Sequence, residues 1–500
     1  MFYPSLEEVR TLSQHHNIIP ISMEVYADME TPISLFKRFE DSNYCFLLES
    51  VEGGEKWARY SFIGRNPFLI VKSIRNQTTI EDKYSNIDVK EGNPIEILKT
   101  LISKYKGADL PKLPRFNGGA VGFFGYDLIR YFEDLPNVPE DDLELPDCHF
   151  MFTDEVIAFD HLKQKIHIIV NLHFDENNSA NGNLERNYNS TTNCIKEIFK
   201  EILTSRWKIA DNFRPNFDNK NGNFTFTSNM TKEKYCQNVL KAKEYINNGD
   251  IFQVVLSQRL CVETDQNPLN VYRVLRIINP SPYMYYLKFN DYKIVGSSPE
   301  MLARVEDGIV ETCPIAGTRK RGNTKQEDEI LENELLSDEK EISEHTMLVD
   351  LGRNDIGKVS KFGTVLVKDF MHVEKYSHVM HLVTNVQGDL RQDKSAFDAL
   401  MSILPAGTLS GAPKVRAMEI IDELEDLKRG PYGGAIGYLS FNGNLDSCIT
   451  IRTMIFKGNK AYVQSGAGIV ADSIPENEYK ETLSKAKALL KALEKVGEMR

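Results

Sequence analysis

Two Glu-x-x-Glu motifs carry the clearest chemical signal in the sequence. Glu341 and Glu344 lie in the segment KEISEH, and Glu478 and Glu481 lie in the segment PENEYKET. Both segments predict helices, and residues three apart project from one helical face, so each helix can present two carboxylates together. Four converging carboxylates repel one another unless a cation lies between them, and hard oxygen ligands that leave room for water and an anionic substrate suit Mg²⁺. The alternative is that each motif is a solvated helix face, and spacing alone does not decide between the two.

Three glycine-rich segments are the second candidate feature, namely PIAGTR at 314–319, PAGTLSGAPK at 405–414 and SGAG at 465–468. Glycine permits positive φ and lets backbone N–H groups approach a carboxylate closely. None of the three matches the phosphate-binding loop that ends in Gly-Lys-Ser/Thr, or the dinucleotide motif Gly-x-Gly-x-x-Gly. Taken singly, such a segment is more often a tight turn than an anion site.

The elements that must position these segments mix short strands with helices. Strands rich in β-branched and aromatic residues are predicted near 43–51, 61–74, 120–132, 166–174 and 251–262. A hairpin that turns at Asn290 and Asp291 is predicted over 283–298. Helices are predicted over 231–250, 325–351, 396–403, 413–428 and 476–496. There is no regular βαβ repeat, which favours an α+β fold over a doubly wound α/β fold.

An Asn-rich stretch divides the chain. Residues 171–230 are rich in Asn, Gly, Asp and Ser, and they predict loops or a linker around one helix at 194–210. We therefore predict an N-terminal region over 1–170 and a C-terminal region over 231–500.

Composition and charge restrict the class of protein. Hydrophobic residues make up 41% of the 500 residues, and no apolar stretch reaches the length of about 18 residues that a membrane span needs. The start lacks a secretory signal, so we expect a cytoplasmic protein. The seven cysteines are scattered without a Cys-x-x-Cys pair, which predicts reduced thiols. The net charge of −12 disfavours nucleic-acid binding, and it means that an anionic substrate needs a local positive site.

Seven segments are specific enough to be compared as a set: PIAGTRKRG, KEISEHTMLVDLGRND, HVMHLV, PAGTLSGAPKVRAMEII, GPYGGAIGY, CITIRTMIF and QSGAGIVADSIPENEYKET. In this order they resemble the chorismate-utilising enzyme family, over roughly residues 230–495. In the N-terminal region, LLESVEGGEKWARYSFIG is similar to one branch of that family, the anthranilate synthase large subunits. The resemblance implies an α+β fold with a large two-layer antiparallel β-sandwich-like core and flanking helices.

The resemblance assigns the acidic motifs to a Mg²⁺ site that holds the ring carboxylate of chorismate. Glu344 and Glu481 match the direct ligands, and Glu341 and Glu478 match residues that act through bound water. These roles come from the family and not from the spacing of the motifs.

Matching positions also imply a chorismate pocket. Tyr432 and Arg452 would hold the carboxylate of the enolpyruvyl arm, a task that suits the planar fork of arginine. The other implied substrate contacts are Gly317, Thr318, Thr408, Gly466, Ala467, Gly468 and Lys485. Lys485 would add positive charge one helical turn after the second acidic motif.

Two residues match catalytic positions of the family. Glu300, in GSSPEML, corresponds to the general acid that protonates the departing C4 hydroxyl, and it needs a pKa raised by burial for that role at neutral pH. His381, in HVMHL, faces the reacting ring in the family, although a lone histidine beside apolar residues is more often structural.

Two further positions distinguish the reactions within the family. Relatives that add water at C2 carry a lysine base where this chain has Gln253, and a neutral amide cannot take a proton from water. Aminodeoxychorismate synthases carry a lysine nucleophile where this chain has Ala316. Ammonia needs neither a lysine base nor a lysine nucleophile. The resemblance therefore implies that ammonia attacks C2 and that pyruvate is eliminated to give anthranilate. The alternatives are a relative that releases the amino intermediate and a pseudoenzyme that only senses tryptophan.

The resemblance also implies a partner and an inhibitor. No cysteine lies in the Gly-x-Cys-x-Gly turn of a glutaminase nucleophile, so we expect ammonia from a separate glutamine amidotransferase subunit, in a heterodimer or a dimer of heterodimers. Two segments, one in each half of the chain, are similar to the family's feedback site for L-tryptophan, so the bound amino acid could bias how the halves pack. They contribute Glu49, Ser50, Pro282, Tyr283 and Met284. The alternative for the first segment is a core strand that ends at the surface.

Overall fold

The helices of this computed structural model flank two large sheets. The structure describes residues 2–51, 59–174, 181–204, 225–376 and 379–497. Its α-helices are α1 (Leu6–Leu12), α2 (Pro32–Phe36), α3 (Pro94–Ser103), α4 (Asn181–Thr204), α5 (Lys232–Asn247), α6 (Pro268–Ile278), α7 (Lys325–Ser337), α8 (Glu339–Gly357), α9 (Ala396–Ile403), α10 (Lys414–Leu424) and α11 (Pro475–Gly497). Two short 3₁₀ helices span Tyr126–Tyr131 and Gly407–Leu409.

The strands are short and numerous. They are β1 (Phe2–Tyr3), β2 (Ile18–Tyr26), β3 (Tyr44–Glu49), β4 (Tyr60–Arg65), β5 (Leu69–Ile74), β6 (Gln77–Asp82), β7 (Ile87–Glu91), β8 (Gly119–Phe124), β9 (Cys148–Thr153), β10 (Glu155–Asp160), β11 (Lys165–His173), β12 (Thr227–Ser228), β13 (Gln253–Glu263), β14 (Tyr283–Phe289), β15 (Tyr292–Ser298), β16 (Met301–Glu306), β17 (Ile309–Thr312), β18 (Ile315–Lys320), β19 (Leu366–Lys375), β20 (Val379–Asp389), β21 (Gly411–Ala412), β22 (Ala435–Ser440), β23 (Leu445–Ile449), β24 (Thr453–Lys457) and β25 (Lys460–Ile469).

The strands form two antiparallel sheets. The first has the order β1-β2-β11-β10-β4-β3-β14-β15-β24-β25-β13-β12, with β21 paired to β13. The second has the order β18-β20-β17-β16-β23-β22-β8-β9-β5-β6-β7, with β19 paired to β20. The chain changes sheet several times, and Pro299 and Glu300 lie at one of these crossings, between β15 of the first sheet and β16 of the second.

The two sheets pack face to face around an aromatic core. Phe62 of β4 meets Tyr438 of β22 edge to face, with ring centroids 5.9 Å apart, and Phe116 lies against both rings. The helices cover the outer faces: α4, α6 and α11 bury apolar residues against the first sheet, and α3, α8 and α9 do so against the second. The expected α+β fold with a two-layer antiparallel core and flanking helices is therefore confirmed.

Both sheets draw strands from the N-terminal and the C-terminal region. β3 pairs with β14 in the first sheet, and β8 pairs with β22 in the second. The boundaries at 170 and 231 remain a prediction, and part of the Asn-rich stretch (residues 175–180 and 205–224) lies outside the described residues. No helix in the described part of the chain is long and apolar enough to cross a membrane.

Most elements agree with the prediction, with two differences in the strands and three at helix ends. The segment 61–74 forms two strands, β4 and β5, which belong to different sheets, and the segment 120–132 forms β8 followed by the 3₁₀ helix Tyr126–Tyr131. The segment 325–351 forms two helices because Asp338 adopts an extended conformation and its carboxylate accepts the N–H groups of Lys340 and Glu341. The helix predicted to reach 428 ends at Leu424. The helix expected over 194–210 begins earlier, at Asn181, and its predicted last residues lie outside the described ranges.

Candidate functional site

A cavity of about 590 Å³ opens where the edges of both sheets meet α8 and α11. Nearly all of the predicted catalytic, metal-site and substrate residues line it: Gln253, Glu300, Gly317, Thr318, Glu341, Glu344, His381, Thr408, Tyr432, Arg452, Gly466, Gly468, Glu478, Glu481 and Lys485. Ala316 lies in the same lining. Ala467 does not, because its side chain is buried in β25, where it pairs with Leu256 of β13.

Acidic side chains form one wall of the cavity, and cations already pair with two of them. Lys485 lies 2.8 Å from Glu481, one turn earlier on α11, and Arg319 lies 3.3 Å from Glu341. Glu344 accepts a 3.3 Å hydrogen bond from the Gln253 amide. Burial, together with the charge of Glu341, raises the pKa of Glu344 above its ordinary value. The wall therefore holds more carboxylate charge than its own cations balance.

The oxygen donors of this wall fit Mg²⁺ in type, since Mg²⁺ prefers carboxylates and water. Among the described residues, no group of three or more His, Cys, Asp or Glu side chains is gathered closely enough to hold a metal ion. The two acidic motifs therefore face one cavity as two separate pairs of carboxylates.

The carboxyl group of Glu300 lines the cavity from the segment between β15 and β16, where the chain passes from one sheet to the other. Its Oε1 accepts a hydrogen bond of 2.9 Å from the hydroxyl of Thr408. Burial raises the pKa of Glu300 to about 7, against the opposing effects of the Thr408 hydrogen bond and the charge of Lys485. At neutral pH a large fraction of this carboxyl group is thus protonated and able to donate a proton.

His381 has a fixed orientation and is neutral. Its Nδ1 lies 2.9 Å from the carbonyl oxygen of Gly317 and 3.0 Å from the hydroxyl of Thr318. A carbonyl oxygen can only accept, so Nδ1 carries the proton and Nε2 has a free lone pair. Burial lowers the pKa of His381, with a further contribution from the charge of Arg452.

The positive end of the cavity is built by Arg452, Lys485 and the glycines of β25. Arg452 donates to the carbonyl of Lys485 at 2.9 Å, and Lys485 donates to the carbonyl of Gly466 at 3.0 Å. A Cβ atom on Gly466 would lie 2.8 Å from the Tyr432 hydroxyl, and one on Gly468 would lie 2.7 Å from the Gln253 amide. Gly466 therefore requires glycine, because its Cβ would also lie 2.9 Å from the backbone oxygen of Leu256, whereas the flexible Gln253 side chain could move away from a larger residue at 468.

A smaller cavity of about 60 Å³ lies between the two sheets, and all five residues predicted for inhibitor binding line it: Glu49, Ser50, Pro282, Tyr283 and Met284. Glu49 is buried, and its Oε2 accepts hydrogen bonds from Tyr272 at 2.5 Å and from Arg276 at 3.1 Å. Its other carboxylate oxygen has no hydrogen-bond partner among the described residues. The partners of the Glu49 carboxylate lie on α6, outside this lining, whereas the ion pair of Arg304 and Asp446 is part of it.

Several residues in or beside the larger cavity were not predicted. Lys340 and Gln464 line it, although each directly adjoins a recognised motif. Arg319, in the PIAGTR segment, holds Glu341 and also Asp338, at 2.7 Å. Adjacency to a motif was the available signal for all three.

Comparison with known proteins identifies the family. Residues 44–491 match the family described as chorismate binding enzyme. The chain is 72% identical over 500 residues to anthranilate synthase component 1 of Acetivibrio thermocellus, covering 100% of both chains. It is 48% identical over 493 residues to the component 1 of Aquifex aeolicus, covering 98% of this chain and 97% of the relative. The crystal structure of anthranilate synthase component I from Streptococcus pneumoniae TIGR4 superposes with a TM-score of 0.77 at 40% identity, covering 93% of this chain and 99% of that one.

Proposed function

This chain belongs to the chorismate binding enzymes, and we propose that it converts chorismate and ammonia to anthranilate and pyruvate, the first committed step toward tryptophan. The single observation that supports this reaction best is that Gln253 and Ala316 both line the cavity. Neither side chain can serve as a lysine base or a lysine nucleophile, so the lining favours a nucleophile that attacks without prior deprotonation, as ammonia does.

The proposed roles follow from the chemistry of each group. Glu300 protonates the departing C4 hydroxyl, because its pKa of about 7 keeps a proton available. Arg452 and Tyr432 hold the carboxylate of the enolpyruvyl arm at the positive end of the cavity. The neutral His381 faces the reacting ring with the lone pair of Nε2.

We further propose that the enzyme uses Mg²⁺. Glu344 and Glu481 would hold the ion directly, and Glu341 and Glu478 would do so through water. When bound, the ion would neutralise the excess negative charge of this wall and the ring carboxylate of chorismate.

Ammonia is proposed to come from a glutamine amidotransferase subunit, because the name component 1 of the relatives implies a second component. L-tryptophan is the proposed inhibitor, because the two segments that resemble the family's feedback site line one cavity between the sheets. The proposed location is the cytoplasm, where the seven free cysteines would stay reduced.

The test is the fluorescence of anthranilate formed by the purified chain from chorismate and ammonium, with and without Mg²⁺. Metal-dependent anthranilate formation is expected, with no activity when glutamine replaces ammonium. Loss of chorismate without anthranilate would indicate release of an amino intermediate. No turnover would favour a protein that only senses tryptophan.

A further inference from the structure

A buried ion pair lies behind the cavity, outside the set of residues that line it. Arg429 and Glu425 are 3% and 4% exposed. The guanidinium donates to both carboxylate oxygens of Glu425, from Nε at 2.8 Å and from Nη2 at 2.6 Å. Burying two charges is costly unless the geometry is good and the remaining donors are satisfied, so such a pair requires an explanation.

The remaining donors of Arg429 reach two different parts of the cavity wall. Nη1 donates to the carbonyl of Leu409 at 2.7 Å, and Nη2 donates to the carbonyl of Val255 at 2.7 Å. The guanidinium also lies over the ring of Tyr432, 5.7 Å from its centroid. Leu409, Val255 and Tyr432 all line the cavity.

The partner carboxylate extends the same framework to β25. Glu425 Oε1 accepts the backbone N–H of Ser257 at 2.7 Å and the Ser257 hydroxyl at 3.0 Å. The Ser257 hydroxyl in turn accepts a 2.9 Å hydrogen bond from Gln464, another residue of the lining. One ion pair thus joins the walls formed by β13, β25, the Gly407–Leu409 turn and the loop that carries Tyr432.

We infer that Arg429, held by Glu425, is a positioning residue for the chorismate site, setting the place of Tyr432 and of the turn that carries Thr408. The inference rests on the proposed function for the identity of the substrate. Thr408 directly precedes Leu409 and donates to Glu300, so a shift of this turn changes both substrate binding and the titration of the acid. Arginine is needed because lysine cannot make the forked contact with Glu425 and reach two carbonyls at once.

The test compares Arg429→Lys with Arg65→Lys in the full-length chain. Arg65 makes a similar fork with Glu201, at 2.7 and 2.6 Å, and lies over the ring of Phe39, in a more exposed pair. Its hydrogen bonds and ion pairs among the described residues involve none that line the cavity. Chorismate affinity is measured by calorimetry, turnover by anthranilate fluorescence, and folding by the melting temperature. For Arg429→Lys we expect a 10- to 100-fold loss of chorismate affinity and kcat/KM. We also expect the alkaline limb of the pH profile to move, since the Thr408 contact with Glu300 is disturbed. Arg65→Lys should change neither property.

A purely structural ion pair would lower the melting temperature of both variants and leave the affinity and the pH profile of Arg429→Lys unchanged, which would overturn the inference. If Arg429→Lys does not fold, Glu425→Gln decides, since it keeps the shape of the partner side chain but removes the charge that holds Arg429. A fall of at least about twofold in chorismate affinity supports the inference, and unchanged affinity overturns it. If the unmodified chain makes no anthranilate, the proposed function is wrong. The chorismate affinities of the variants then still test the positioning role of Arg429.

Discussion

The hydroxyl of Thr408 donates a hydrogen bond of 2.9 Å to the carboxylate of Glu300. The two residues are 108 positions apart in the chain and meet where the chain crosses between the sheets. The contact favours the ionised carboxylate and so lowers a pKa that burial raises. Thr408 therefore tunes the proposed acid rather than binding substrate alone.

We predict that Thr408→Val moves the alkaline limb of the kcat/KM pH profile upward from near pH 7. Loss of the hydroxyl removes an interaction that lowers the pKa of Glu300, so the protonated acid persists to higher pH. Thr408→Ser keeps the donor and should keep the limb in place. An unchanged limb in the valine variant, or an equal shift in the serine variant, would contradict the assignment.

Replacing the acid itself should separate binding from chemistry. Glu300→Gln is expected to lower kcat by about 10²- to 10⁴-fold, the typical contribution of a general acid. Chorismate affinity should change little, because the amide keeps the shape of the side chain. If the variant loses chorismate binding as well as turnover, Glu300 binds the substrate instead of acting as the acid.

The same variant should alter stability in a pH-dependent way. In the folded chain Glu300 keeps its proton up to about pH 7, whereas an unfolded glutamate loses it near its ordinary value. Its favourable contribution is therefore complete below that ordinary value and is lost as the pH rises through 7. Glu300→Gln should melt at a higher temperature than the unmodified chain at pH 8 but not at pH 4. Equal melting differences at both pH values would count against a buried, protonated Glu300.

The close approach at Gly466 gives a steric prediction. Gly466→Ala should reduce chorismate affinity at least tenfold, because its Cβ would lie 2.8 Å from the Tyr432 hydroxyl and 2.9 Å from the carbonyl of Leu256. Gly357→Ala, at a helical position with no atom within 4 Å of the added Cβ, is the matched control. Calorimetry with chorismate compares the two variants. If Gly466→Ala binds chorismate as tightly as the unmodified chain does, the backbone of β25 can shift to accommodate the added methyl group.

Chelation and substitution test the proposed Mg²⁺ site. Treatment with EDTA should abolish anthranilate formation, and added Mg²⁺ should restore it. Glu344→Gln and Glu481→Gln should each raise the Mg²⁺ concentration needed for half-maximal rate, since each removes a charged donor. Glu339→Gln, exposed on the same helix as Glu344, should not. Full activity in EDTA would refute a metal requirement.

The cavity between the sheets predicts how feedback inhibition can be removed. Ser50→Phe should fill this space and raise the tryptophan concentration for half-maximal inhibition at least tenfold, while turnover with ammonium is retained. Inhibition curves of the two proteins measure this directly. Unchanged sensitivity would place the inhibitor elsewhere.

The sequence predicted individual elements well because their signals are local. The hairpin over 283–298 appears as β14 and β15, and the helix over 396–403 appears as α9 with the predicted bounds. The break at Asp338 was missed, although an aspartate followed by helix-forming residues is a common N-cap. The early end of α10 could not be seen locally, because Glu425 leaves the helix to meet Arg429 and Ser257 in the core.

Assembly of the site depended on contacts that spacing does not report. The acidic motifs and the glycine-rich segments were found by pattern, and their meeting in one cavity followed from the family resemblance. The pairing of Met284 with Glu49 joins distant strands, and so does the contact of Thr408 with Glu300. The partners of Arg319 and Arg429 could not be predicted, because the sequence does not show which carboxylates and carbonyl oxygens a guanidinium will contact in the fold.

Interleaving of the two regions in both sheets has a consequence for synthesis on the ribosome. Strands β3 and β4 emerge early, but the partner of β3 on its other side is β14, which is translated far later. A nascent chain therefore carries an open, apolar strand edge while it grows from residue 49 to residue 283, and such edges invite pairing with other chains. Truncated products that stop before β14 would keep that edge permanently, so premature termination should yield aggregates rather than a soluble N-terminal fragment.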